Sequence, residues 1–246
     1  MTTILYEHPL NERIRNYLKL EQFFLQVNSC SSENILENHQ VYFNALFSII
    51  DCLERNDIRG DLIKDLEKLE QNLVLWSTSP AIDSLAINDN LKQTHQLIGL
   101  LKGNCPTWWQ LKDDKLLMPL KQRFAIQGGN ASFDLPQLHF WLYHEKVSSD
   151  MQHWLSLLAD VHDALNLILK FIRQRADFQD IETESGFYQD SGEGILLLRI
   201  KIAQNAEYYP SVSGNKFRYS IRFMLPCETS GRRYSNQATQ FQLARC

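Results

Sequence analysis

Near residue 195 the hydrophobic repeat of this chain changes from three or four residues to two, and that change constrains the fold more than any other feature. Downstream, Leu196, Leu198, Ile200 and Ile202 alternate with Leu197, Arg199 and Lys201. Farther on, Phe217, Tyr219, Ile221, Phe223 and Leu225 alternate with Lys216, Arg218, Ser220, Arg222 and Met224. A third strand is expected through Thr239, Phe241 and Leu243, with turn signals at Tyr209-Pro210, Ser213-Gly214-Asn215 and Ser230-Gly231. Short spacings of this kind favour an antiparallel sheet.

Upstream the pattern is helical. Asn11 can cap a first helix with Glu12 in its first turn, followed by Ile14, Tyr17, Leu18, Phe24 and Leu25. A second helix is expected from about Asn38, with Arg55 at its end. A third begins at Asp61, where Leu62, Leu66, Leu69, Leu73 and Trp76 form a seam two heptads long. That seam suits an antiparallel helix pair better than a coiled coil, although it could also serve a dimer. Ile87, Leu91, Thr94, Ile98 and Leu101 make a fourth helix, which Gly103 and Pro106 end. A fifth runs through Leu116, Leu117, Leu120 and Phe124, with Pro119 as a kink or first-turn residue.

Between these regimes, Gly128-Gly129 breaks the helix, and Ala131 to Tyr143 is aromatic and extended in character, so that Pro136 implies an edge strand or bulge. The longest helix is expected over about 148–175. The fold class predicted is α+β: an N-terminal α-helical domain, residues 10–125, followed by a mainly antiparallel β domain, residues 126–246, that contains the long helix and can recruit an N-terminal strand at 2–7.

Chemistry is harder to find. The nucleophile elbow, the phosphate loop, H-E-x-x-H and the EF-hand loop are all absent from the sequence. Gly186, Gly192 and Gly194 precede a strand rather than joining strand to helix, which makes them turn glycines. Cys30, Cys52, Cys105, Cys227 and Cys246 are scattered without a C-x-x-C pair and read as free thiols. His139 and His144 would still need two further ligands to hold zinc. No metal, cofactor or enzyme activity is therefore expected. The N-terminus lacks a basic n-region and a long apolar stretch, and a cytoplasmic location is expected.

Charge is unevenly distributed. From Ile195 to Cys246 eight Lys/Arg face only Glu207 and Glu228, so this end stands at +6 in a chain whose total is −4. A basic end suggests an anionic partner. Strand alternation puts Arg218 and Arg222 on one face, opposite the aromatic residues of their own strand. The face is either simply solvated or an anion-recognising patch, for guanidinium grips carboxylate and phosphate bidentately. Arg55 joins them as a candidate basic-patch residue.

Four stretches together resemble the ZapD family of bacterial division proteins: YEHPLNERIRNYLKLE, GGNASFDLPQLHFWL, GFYQDSG and SGNKFRYSIRFM. The resemblance runs nearly end to end. It implies a helical domain joined to a β domain, no enzyme activity, a homodimer, and binding to the C-terminal tail of FtsZ that crosslinks and bundles FtsZ filaments at the division ring. For tail recognition it points to Lys19, Lys115 and His139. Arginine is the residue expected in the family at the first two, so the charge carries over and the planar fork does not. Asn130 and Ala131 stand where relatives can have cysteine, and no thiol chemistry is transferred there. From the residues alone, a nucleic-acid binder using the basic sheet is the alternative. Against it stand a pI near 6.0 and aromatic residues that point away from the arginines.

Overall fold

The structure is a computed structural model; it describes residues 2–55, 57–77 and 84–246, with Ser84 described by its backbone alone. Contacts divide the chain into two units, Lys19–Ile168 on one hand and Met1–Leu18 with Leu169–Cys246 on the other. That division departs from the expected border at 125/126. Residues 126–168 pack with the helices, and the first 18 residues belong with the strands, because burial follows packing partners rather than the place where the period changes.

The helical unit holds most of α1 (Glu12–Asn28), then α2 (Ile35–Arg55), α3 (Ile58–Ser77), α4 (Ser84–Lys102), α5 (Leu117–Phe124), α6 (Pro136–Leu142) and most of α7 (Val147–Arg173). The helices at α2 and α3 begin a few residues earlier than periodicity suggested. Pro119 lies in the first turn of α5. The leucine seam of α3 is buried at Leu62, Leu66, Leu69 and Leu73. Its partner is α4, held antiparallel by Glu67 with Lys102 at 2.7 Å, Glu70 with His95 at 3.1 Å, and Arg59, which donates to the Leu101 carbonyl at 2.6 Å. A seam used within one protomer is not available to a second.

The largest correction concerns 131–143. This stretch is not a strand: a 3-10 turn at Ser132–Asp134 leads into α6, with Pro136 at a first-turn position. Proline fits there because the missing N–H would have had no helical acceptor. Leu135, Leu138 and Trp141 recur at intervals of three and are buried, which is the helical signal. Trp141 joins Tyr42, Phe43, Phe47, Phe124 and Trp154 in an aromatic core with ring separations of 5.3–6.5 Å. Two carboxylates anchor its indoles: Trp141 Nε1 donates to Asp150 and Trp154 Nε1 to Asp114, both at 2.8 Å. Asp150 is thus part of the core's support.

The β unit is built from β1 (Thr3–Pro9), β2 (Gln179–Thr183), β3 (Phe187–Ser191), β4 (Leu197–Ala203), β5 (Tyr209–Gly214), β6 (Arg218–Cys227), β7 (Gly231–Tyr234) and β8 (Thr239–Arg245). They form two antiparallel sheets, one ordered β1-β4-β8-β2 and the other β3-β6-β5 with β7 also paired to β6. Leu198, Ile200 and Ile202 of the first sheet meet Tyr219, Ile221 and Phe223 of the second in one core with Phe241 and Leu243. Gly186 and Gly194 adopt φ of +62 and +76, which glycine takes without strain, in keeping with a turn role.

Candidate functional site

The residues singled out fall into different settings. In the helical unit, Lys19 is an exposed residue of α1, and its charge reaches Cys52 near the end of α2. Burial pushes the Cys52 thiol up, and Asp51 adds to that, while Lys19 and Arg55 pull against it. Lys19 and Arg55 therefore share one neighbourhood. Arg55 is exposed and only loosely tied to Asp51, at 3.7 Å one helical turn away.

Beside Arg55 a different cation is fully occupied. Lys121 of α5 reaches Asp51 and Glu54, each at 2.8 Å, and Lys112 approaches Glu54 at 3.5 Å. Partial burial alone would raise the Glu54 carboxyl, but the Lys121 hydrogen bond and the two lysine charges outweigh it, and the net shift is downward. These groups neutralise one another and hold α5 on α2.

Lys115 is exposed in the turn before α5, next to Asp114. Asp114 fixes that turn: one oxygen accepts the N–H groups of Leu116 and Leu117, both at 2.8 Å, and the other accepts Trp154 Nε1. The lysine thus projects from a rigid base. His139 is exposed on α6, edge to face with Tyr143 at 5.2 Å. It lines a groove of about 120 Å³ with Leu36, His39, Leu135, Leu138 and Tyr143. Leu36 and His39 open α2, whereas Cys52 closes it. Sixteen residues of helix separate these ends, roughly 24 Å at ~1.5 Å per residue. Lys19 and His139 cannot grip one small group together.

In the β unit, Arg218 and Arg222 are exposed and Tyr219, Ile221 and Phe223 are buried, in keeping with alternation. Phe217 departs from it: at 70% exposed it precedes β6 and stacks under Lys216, 4.9 Å from the ring centre. The sequence reading also missed what covers Arg222. Its guanidinium lies 4.8 Å from the Phe187 ring and 4.6 Å from the Tyr234 ring. Phe187 stands directly opposite it in the β3–β6 register, and Tyr234 comes from β7. Reading GFYQDSG as a strand would have suggested the first contact. An arginine held between two rings keeps its charge and loses mobility.

None of the five cysteines forms a disulfide, and among the described residues no group of three or more His, Cys, Asp or Glu is placed to hold a metal. No described helix is long and apolar enough to cross a membrane.

Comparison with known proteins matches the ZapD family, described as a cell division protein, over residues 18–222. The cell division protein ZapD of Idiomarina loihiensis is 39% identical over 246 residues, 99% of this chain and 96% of that protein. Those of Yersinia pseudotuberculosis and Yersinia pestis are each 37% identical over 226 residues, 91% of this chain and 90% of theirs. With similarity of that extent, and with a helical unit and a β unit in place, the chain belongs to the ZapD family of cell division proteins.

Proposed function

We propose that this protein is a non-enzymatic cell-division factor that binds the C-terminal tail of FtsZ and, as a dimer, crosslinks and bundles FtsZ filaments at the cytoplasmic face of the division site. Family membership carries the division role. The observation that supports a tail-binding helical unit is the exposure of Lys19, Lys115 and His139 on well-anchored segments. The span of roughly 24 Å between the Lys19 and His139 neighbourhoods corresponds to about seven residues of extended chain at ~3.3 Å each. That spread suits a flexible acidic peptide laid along a surface. Two such sites on a dimer raise the effective concentration of the second tail.

Co-sedimentation with assembled FtsZ tests this. The protein is expected to pellet with full-length FtsZ and stay in solution with FtsZ lacking its tail. Lys19→Glu and Lys115→Glu should each abolish binding to the isolated tail peptide, since losing a buried charged partner costs about 2–5 kcal/mol. Folded variants that bind the peptide as before would remove these residues from the site.

The sandwich of Arg222 between Phe187 and Tyr234 favours a second reading, a nucleic-acid surface, because it brings rings to the basic face that β6 alone does not offer. A single-stranded oligonucleotide added to the sedimentation assay separates the two. Competition with FtsZ would support the second reading, and pelleting indifferent to the oligonucleotide the first.

A further inference from the structure

Arg222 is held in place without being neutralised. Among the described residues no carboxylate lies within ion-pair reach of it, and beside its guanidinium lie the rings of Phe187 and Tyr234. Arg173, Arg199 and Arg245, by contrast, each end on a carboxylate. An ordered cation with no internal counter-ion keeps its hydrogen-bonding capacity for an outside anion.

The backbone of the next residue delivers the rings. Phe223, itself fully buried, donates its N–H to the Gly186 carbonyl at 2.8 Å, and its own carbonyl accepts the Ser235 N–H at 2.9 Å. Gly186 precedes Phe187 and Ser235 follows Tyr234, so both ring-bearing residues are pinned beside Arg222. Glycine is required at this approach, because a Cβ at 186 would run into the Ser235 carbonyl. β7 is exposed along all four residues and buries none of its side chains, so Tyr234 serves Arg222 rather than the core. Arg218, on the same face of β6, stands opposite Ser191, which offers no ring.

We infer that Phe187 and Tyr234 are positioning residues for filament bundling: they fix the Arg222 guanidinium on the exposed face of the second sheet, where it meets a carboxylate of an acidic filament surface. This rests on the bundling reading above and names what makes one of its arginines effective. Freezing a rotamer-rich side chain during association weakens binding by up to about tenfold, and a guanidinium already stacked in the fold avoids most of that loss. Rings orient a cation without taking up its charge. A carboxylate in their place would hold the arginine as well and cancel it.

Low-speed sedimentation of assembled FtsZ with the full chain tests this. Phe187→Leu with Tyr234→Leu removes both rings and leaves every charge. Half-maximal bundling is expected at about tenfold higher protein concentration, with oligomeric mass and tail-peptide affinity unchanged. Phe187→Tyr with Tyr234→Phe keeps two rings and should bundle as the parent does. On an Arg222→Ala background the two ring-removing substitutions should cost less than about twofold further, since rings that act through Arg222 have nothing left to hold. An equal loss on both backgrounds means that the rings touch the filament themselves or only support the sheet, and overturns the inference. Single-stranded oligonucleotide binding that falls with the rings on the Arg222→Ala background assigns them to base stacking and overturns it too. If the ring-removing double variant does not fold, Tyr234→Leu alone decides, with a shift of about threefold expected on the parent and less than about twofold without Arg222. Parental bundling by the ring-free protein, where Arg222→Ala weakens it, sinks the positioning role alone. Parental bundling by Arg222→Ala removes that arginine and the rings with it, and a parent that bundles nothing removes the bundling reading first.

Discussion

The two sheets of the β unit treat their charges differently. In the first sheet, Arg173 donates to both oxygens of Glu7 from Nε and a terminal nitrogen, Arg199 donates to the same carboxylate, and a terminal nitrogen of Arg199 also reaches the Arg173 carbonyl at 3.2 Å. Asp180 accepts from Gln242. In the second sheet, Arg222 has rings beside it, and Arg218, Arg232 and Arg233 are exposed. Basic residues of the first sheet hold the fold together, and those of the second are displayed. A count of Lys and Arg in the last fifty residues merges these two roles, and only their partners separate them.

The largest expected effect breaks the first sheet. Glu7→Gln leaves two guanidinium groups facing each other with no carboxylate between them, at a site where the Glu7 side chain is only 17% exposed. Roughly 3 kcal/mol of stability should be lost, the low end for opening a buried pair. Urea denaturation measures it. A loss below about 0.5 kcal/mol would mean that the first sheet's charges are as dispensable as surface ones.

The second sheet should respond in the opposite sense. Arg218 and Arg222 stand four residues apart, roughly 13 Å at ~3.3 Å per residue, so they meet two separate acidic groups on an extended surface better than one group on a short tail. Arg218→Glu with Arg222→Glu should weaken filament bundling while tail-peptide affinity stays nearly intact. Stability should change by no more than about 1 kcal/mol, the worth of the exposed ring contacts. Bundling by the parent should fall steeply with salt, since exposed charges are screened beyond ~10 Å at 0.1 M. A folded, dimeric double variant that bundles as the parent does at low salt would assign this face to solvent.

What the sequence made legible follows the same divide. β4 and β6 announced themselves because one face of each is buried, and burial on one face writes a period of two into seven to ten residues. The edge strands β2, β3, β5 and β7 run four to six residues, too short for a period to stand out, and their pairing is decided by β6 and β8. α6 is hard to read in the sequence because aromatic residues and a proline mimic an edge strand, although Leu135, Leu138 and Trp141 keep helical spacing. At the candidate sites, exposure of Arg218 and Arg222 was readable from alternation. The rings around Arg222 were not, and neither was the capture of Lys121 by Glu54, 67 residues away, because those neighbours are set by tertiary pairing.

The smallest expected effect lies where the sheets exchange polar contacts. Arg245 of β8 donates to the hydroxyls of Tyr219 at 3.1 Å and Tyr188 at 2.6 Å, and lies 3.3 Å from Asp190 on β3. The Asp190 carboxyl is held below the usual range, first by the Ser191 N–H at 2.7 Å and then by the Tyr188 hydroxyl at 2.9 Å, with Arg245 adding its charge. A lowered folded-state value means that the unfolded chain binds the proton more readily. The stabilisation is therefore complete above the ordinary aspartate value of about 3.9 and fades as pH falls through the lower folded value. Because the side chain is 42% exposed, solvent screening keeps its worth below about 1 kcal/mol. Asp190→Asn should accordingly lower stability slightly and evenly from pH 5 to 8, with the urea midpoints of parent and variant converging as pH drops below about 4. Parallel midpoints down to the acid limit would show that Arg245 stitches the sheets through the two tyrosines alone, and that the second sheet contributes no carboxylate to the charge balance of the first.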